Sequence, residues 1–214
     1  MINEPFKVYI GGGVEDHLLD IRNNIYIIDK NKRGQVAIFN KVIKHLLKNN
    51  KEVKLALIDY ENKYYKRRFG NEHFLLPIAI NKEEATAMLD KIKKIQNDRL
   101  SLIKNCNAKN IEQYNRENVD KITYIFLFVY ELNDIFTYEQ VDKLLSLVNL
   151  SKSTGIFIFI GTSFIDKNTT LCDKIKANFL DRICFTVDSK EESKLAIDKY
   201  GAESLDRGTI MFNK

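Results

Sequence analysis

Short, largely apolar runs alternate along this chain with stretches in which apolar residues recur every three or four positions. Five runs have strand length: residues 25–28 (IYII), 53–58 (VKLALI), 124–129 (YIFLFV), 156–161 (IFIFIG) and 182–187 (RICFTV). Runs without polar alternation fit strands covered on both faces, as in a parallel sheet. Helical spacing follows the first run, at Val36, Ile38, Phe39, Val42, Ile43, Leu46 and Leu47. The longest helix is expected over 83–106, where Ala85, Met88, Leu89, Ile92, Ile95, Leu100 and Ile103 keep a 3.6 period, with Asn81 as N-cap and Glu83 and Glu84 in the first turn. Further helices are expected over 137–150, 171–178 and 189–200, the last capped by Ser189 and closed by Gly201. Residues 7–10 read as an edge strand before the Gly11–Gly13 turn, 17–21 and 111–115 as short helical turns, and 75–80 as an edge strand or bend around Pro77. The alternation continues to the end without linker, repeat or low-complexity segment. It predicts one α/β domain over residues 1–214, a mainly parallel central sheet with helices on both faces.

Composition narrows the function classes. A chain of 214 residues can bury a large core without a disulfide or metal staple. Cys106, Cys172 and Cys184 are scattered, odd in number and without metal spacing, as expected of reduced thiols in the cytosol. His17, His45 and His73 are isolated, and no metal site is expected. No apolar run approaches the roughly 18 residues that span a bilayer, and the N-terminus has no signal-peptide core, so any membrane tether is expected outside this chain. The net charge of +5 favours an anionic partner only weakly, because Lys and Asn are abundant everywhere and the basic residues form no stripe.

The first strand-turn-helix unit carries the most specific chemistry. A buried strand, a glycine-containing turn and an amphipathic helix open a phosphate-binding α/β domain when the turn reads G-x-x-x-x-G-K-[ST], with backbone N–H groups cradling phosphates, Lys reaching them and the hydroxyl holding Mg²⁺. Here the turn is Asp29-Lys30-Asn31-Lys32-Arg33-Gly34-Gln35-Val36. Gly34 alone stays in register; Gln35 stands at the Lys position and Val36 at the Ser/Thr position.

Four other segments carry a family resemblance. Residues 176–208, KANFLDRICFTVDSKEESKLAIDKYGAESLDRG, closely resemble the C-terminal part of FtsK/SpoIIIE-type DNA translocase motors, where I-K-A-N…R-I-x-F-x-V-x-S precedes a helix and G-A-E-x-L. Residues 99–115, RLSLIKNCNAKNIEQYN, resemble the family's helix end and N-x-x-x-Y-N turn, and KLALIDYENK at 54–63 sits where the family has a strand ending I-D-P-K. GGGVEDHLLDI at 11–21 falls at the family's lead-in to the phosphate loop, so the likeness covers nearly the whole chain. It implies a RecA-like three-layer sandwich. It also implies kinship with hexameric ATPases that pump double-stranded DNA, with conjugation coupling proteins and with type VII secretion ATPases.

The same resemblance assigns candidate roles and marks departures from them. Lys32, Arg33, Gly34, Gln35 and Val36 would form the nucleotide-binding loop, without its Lys and hydroxyl. The family's paired acids D-E after the central strand correspond to Tyr130 and Glu131, so the metal-side Asp is missing and Glu131 is the remnant catalytic base, or else a solvated or capping carboxylate. Ser163 stands where a Gln senses the γ-phosphate. Arg182 falls at a position that faces the neighbouring subunit as an arginine finger, or else forms a salt bridge at a strand start. Lys63, Lys66, Arg67 and Arg68 form a basic cluster suited to a DNA backbone or to plain solvation. These substitutions together imply a domain that does not hydrolyse ATP and acts as a structural, regulatory or partner-binding module of a DNA or protein translocation machine such as a type VII secretion motor. No cofactor is expected, ATP and Mg²⁺ entering only if the altered loop still binds them. The implied partners are neighbouring ATPase domains or subunits, with a secreted protein or double-stranded DNA as cargo, at the cytoplasmic face of a membrane. The alternatives are an active ATP-dependent DNA translocase, with Lys30 or Lys32 replacing the missing lysine, and a nucleotide-free DNA-binding accessory protein. The early end at Lys214 is read as either a fragment of a larger multi-domain protein or a small stand-alone paralogue.

Overall fold

The computed structural model describes residues 6–11, 18–49, 53–60, 73–132, 137–163 and 169–213. Its centre is a six-stranded sheet of β3 (Ile25–Ile28), β4 (Val53–Ile58), β5 (Tyr124–Val129), β6 (Ile156–Thr162), β7 (Asp181–Cys184) and β8 (Met211–Asn213). The strand order is β4-β5-β6-β3-β7-β8, parallel except for β8, which runs antiparallel to β7. Two further strands, β1 (Lys7–Tyr9) and β2 (Leu18–Asp20), pair antiparallel as a separate ribbon. The helices are α1 (Arg33–Asn49), α2 (Lys82–Asn105), α3 (Ile111–Glu117), α4 (Tyr138–Thr154), α5 (Thr169–Asn178) and α6 (Lys190–Ile197).

Alternation within the strands builds two different cores. Ile125, Leu127, Val129, Ile156, Ile158 and Ile160 face an aliphatic layer with Met88, Leu89 and Ile92 of α2 and Leu144 and Leu147 of α4. Phe126, Phe128, Phe157 and Phe159 point the other way and pack with Phe39, Val42, Ile43 and Leu46 of α1 and Val8 and Leu19 of the ribbon. The aromatic residues thus form one face of the sheet, over which α1 lies.

The helix starts are capped as their sequences require. Asn81 accepts the Glu84 N–H at 2.9 Å, and Thr137 and Gln140 form a capping box at α4. Gly155 closes α4 in the left-handed conformation, φ 68°, where a Cβ would lie 2.5 Å from Ile111 Cδ1. Three expectations need correction, and a fourth resolves between its alternatives. Leu18–Asp20, expected in a helical turn over 17–21, is strand β2, because Val8 and Leu19 pair across the ribbon and are buried together. Of the edge strand or bend read at 75–80 the structure has the bend, at residues 75 and 76, and the chain meets β4 at two parallel bridges, Leu55–Phe74 and Ile58–Ala79, on either side of Pro77, which has no N–H to offer. Strand β7 ends at Cys184, short of 187, although the Phe185 N–H still reaches Ile28 O at 2.9 Å. Helix α6 ends at Ile197, three residues short of 200: Asp198 takes the left-handed cap, φ 58°, its N–H bonded to Lys194 O at 3.0 Å.

Candidate functional site

The chain leaves β3 at the sheet's C-terminal edge and turns into α1 through residues 29–32. Asp29 is buried, and its N–H donates to Thr162 O at 2.8 Å, which ties the turn to the end of β6. Its carboxylate folds under the start of α1. Oδ2 accepts the N–H of Gly34 at 2.5 Å and of Gln35 at 3.1 Å, while Oδ1 accepts the N–H of Asn31 at 3.1 Å. No acidic residue lies in the first turn of α1, so this carboxylate from outside the helix satisfies donors that the helix leaves open. In the G-x-x-x-x-G frame, Asp29 occupies the first glycine position. Sequence reasoning passed over it, although the frame itself marks the place.

Gln35 packs onto the sheet at Gly161. It is fully buried, and among the described residues neither its Nε2 nor its Oε1 has a hydrogen-bond partner. The amide rests on Gly161 of β6, where a Cβ would stand 1.9 Å from Oε1, so only a bare glycine leaves it room. An unpartnered buried amide is a net cost, and Gln35→Met is expected to raise stability by about 1–2 kcal/mol while keeping the side chain's length. A thermal midpoint at or below that of the wild type would show that the amide is satisfied in solution. Val36 is half-buried and packs against the α1-side core. Gly34 lies beneath the Phe185 ring, with a hypothetical Cβ only 2.2 Å from Cζ.

Both loop lysines have acidic partners. Lys30 pairs with Asp188, both side chains well exposed, and Lys32 Nζ lies 3.4 Å from Glu131 Oε2. Lys32 and Glu131 each adopt positive φ, 59° and 53°, conformations that cost a long side chain roughly 1 kcal/mol, and the two residues meet across the end of β6, which lies between β3 and β5. Glu131 is buried; both its oxygens accept the Ser163 N–H at 3.0 Å, and Oε1 also accepts from Thr162 Oγ1 at 3.4 Å. Tyr130, at the metal-side position, puts its ring edge-on to Phe39 with centroids 5.1 Å apart, inside the aromatic core.

Arg182 is also turned inward. It is buried, and its Nη2 bonds Asp198, which Lys176 contacts as well. Burial pushes the Asp198 carboxyl up, but the adjacent Lys176 and Arg182 cations outweigh it and hold the group below its usual range. This geometry is that of a salt bridge at a strand start, and no guanidinium is presented at the surface there. Lys63, Lys66, Arg67 and Arg68 lie outside the described residues.

Beside the turn opens a cleft of about 920 Å³, to which Asp29 and Gly34 contribute. Phe185, Ile38 and Ile210 form its apolar walls, and Arg33, Lys41 and Arg207 bring positive charge to it. Arg33, Lys41 and Arg207 are exposed, and Lys41 Nζ stands 5.0 Å from the Tyr9 ring centroid. Of these, Arg33 alone was legible as a site residue from the sequence.

No family model matches the chain. Among curated proteins, it is 28% identical to the DNA translocase FtsK of Staphylococcus epidermidis over 220 residues, 93% of this chain and 27% of that protein. It is 29% identical to the DNA translocase SpoIIIE of Bacillus subtilis over 197 residues, 84% of this chain and 25% of that one. The chain therefore spans about a quarter of the length of these relatives. Among solved structures, the pCW3 conjugation coupling protein TcpA, determined with ATPγS, superposes with a TM-score of 0.75 at 20% identity, covering 97% of this chain and 62% of that one. The cytoplasmic domain of the type VII secretion ATPase EccC of Thermomonospora curvata superposes with a TM-score of 0.79 at 14% identity, covering 98% of this chain and 27% of that one. The fold is thus that of RecA-like ATPase domains, and in sequence this chain is similar to part of the FtsK/SpoIIIE-type DNA translocases.

Proposed function

We propose that this domain does not hydrolyse ATP and serves as a structural or partner-binding module of a translocation machine. The observation that carries the reading is Gln35, which takes the place of the phosphate-binding lysine and is wholly buried against Gly161 of β6. Neither nearby lysine replaces it, since Lys30 is engaged by Asp188 and Lys32 by Glu131. The residues present do not fit a magnesium-bound triphosphate. Val36 offers no hydroxyl for the metal, the Tyr130 ring lies in the core, and the Asp29 carboxylate sits on the backbone donors that a phosphate requires.

The partners most consistent with this role are neighbouring ATPase domains or subunits. Type VII secretion motors, whose cytoplasmic ATPase domains share this fold, offer the model, with a secreted protein or double-stranded DNA as the cargo of the whole machine. No helix among the described residues is long and apolar enough to cross a membrane, so attachment at the cytoplasmic face would come through other parts of such a machine.

Calorimetric titration of ATP into the purified chain tests the reading, with and without Mg²⁺ and with and without double-stranded DNA. No binding tighter than millimolar and no phosphate release are expected. Micromolar, Mg²⁺-dependent binding with turnover that Glu131→Gln abolishes would overturn it and favour an active motor.

A further inference from the structure

We propose that Asp29 is a built-in substitute for a bound phosphate: its carboxylate occupies the anion position at the start of α1 and thereby excludes phosphate groups from an otherwise open cleft. This rests on the non-hydrolysing reading above and names the device that would enforce it.

A helix N-terminus attracts anions because its first N–H groups have no partner within the helix and the aligned peptide dipoles place partial positive charge there. In this chain the Gly34 and Gln35 N–H groups already donate to a single carboxylate oxygen at 2.5 and 3.1 Å. An incoming phosphate must compete for those same donors while approaching a carboxylate of like charge. Access is not the obstacle. The cleft of about 920 Å³ reaches Asp29 and Gly34 directly, and Arg33, Lys41 and Arg207 around it would draw an anion in. Arg33 and Arg207 make no ion pair among the described residues, whereas the two lysines of the loop do. The positive charge thus sits around the cleft, and Asp29, the one acidic residue among its described lining residues, sits on the donors. Asp29 is moreover fixed from behind by its own N–H to Thr162 O and from the side by the Lys32 N–H to its carbonyl, 2.8 and 2.9 Å, so the carboxylate is held in place by the turn.

The test is Asp29→Gly, which restores glycine at the first position of the loop, with inorganic pyrophosphate as the probe. Binding is followed by phosphorus NMR and by the thermal midpoint, against sulfate at matched ionic strength. Pyrophosphate is expected to bind the variant at least about tenfold more tightly than the wild type, and to raise the variant's midpoint by several degrees while leaving the wild type unmoved. A folded variant that ignores pyrophosphate overturns the proposal, as does a wild-type chain that binds it equally well. Should Asp29→Gly fail to fold for want of its cap, pyrophosphate must restore folding; failure to do so, with Asp29→Ser folded and equally indifferent, counts against the proposal too. These readouts are independent of ATP turnover. Hydrolysis by the wild type would sink the functional reading, whereas an unresponsive variant sinks only the role given to Asp29.

Discussion

Phe39→Ala is expected to lower stability by about 4 kcal/mol and the thermal midpoint by about 10 °C. Phe39 is fully buried at the middle of the aromatic face, edge-on to Phe128 and Tyr130 with centroids 5.3 and 5.1 Å away, and 6.3 Å from Phe159. Three rings from strands β5 and β6 and their continuation close around it, so truncation leaves a cavity that rigid aromatic neighbours fill poorly. The urea midpoint measures the loss, and Phe39→Leu is expected to recover about half. A loss below about 1.5 kcal/mol would mean that α1 slides inward to fill the space. The position matters for the site as well, because α1 carries Gly34 and Gln35 at its start and its seat on the sheet sets where their N–H groups point.

Arg99→Met is expected to cost about 3–4 kcal/mol through a different mechanism, the loss of hydrogen bonds to buried carbonyls. Arg99 is a buried cation on α2 whose Nη1 donates to Thr154 O at 2.8 Å and Gly155 O at 3.3 Å, and whose Nη2 donates to Thr123 O at 2.7 Å. One guanidinium therefore ties the end of α4, the start of β6 and the approach to β5. Burial pulls its pKa down to about 10, which still leaves it protonated at neutral pH. Methionine keeps the apolar stem and leaves the three acceptors bare. Arg99→Lys is expected to recover only part of the loss, since an ammonium cannot reproduce the planar fork. Equal stabilities of the Lys variant and the wild type, by chemical denaturation, would show that charge alone matters there.

Continuous apolar runs made the sheet legible in the sequence. Tyr124–Val129 and Val53–Ile58 end where the apolar run ends, because strands buried on both faces admit almost no polar residue. Helix α2 was legible from its period and its Asn81 cap. Short or tertiary-dependent features were not. Leu18–Asp20 is too brief to display alternation, and its strand character comes from its partner β1. The end of α6 follows from Asp198, whose left-handed backbone accompanies the Lys176 and Arg182 cations brought from elsewhere in the chain. The G-x-x-x-x-G frame marks the turn after β3, but a motif registers Asp29 only as a missing glycine. That a carboxylate there can turn back onto the Gly34 and Gln35 donors depends on a turn conformation, with Lys32 at φ 59°, that composition does not specify. Phe185, Lys41 and Arg207 reach the cleft from three separate segments, a convergence that no linear spacing encodes.

The strand order has a consequence for how the chain is born. β3 lies between β6 and β7, so its register partners, Phe159 to Thr162 on one side and Asp181 to Cys184 on the other, leave the ribosome well over a hundred residues after it does. Until then the loop that follows β3 has no sheet edge to stand on, and its tie to Thr162 O cannot form. β4 and β5 can pair beforehand, but the central slot between β6 and β7 must be filled by a strand synthesised early and waiting exposed, with IYII open to solvent or chaperone. Nascent chains arrested before residue 156 should therefore be protease-sensitive throughout the α1 unit, with protection arriving only after β6 emerges.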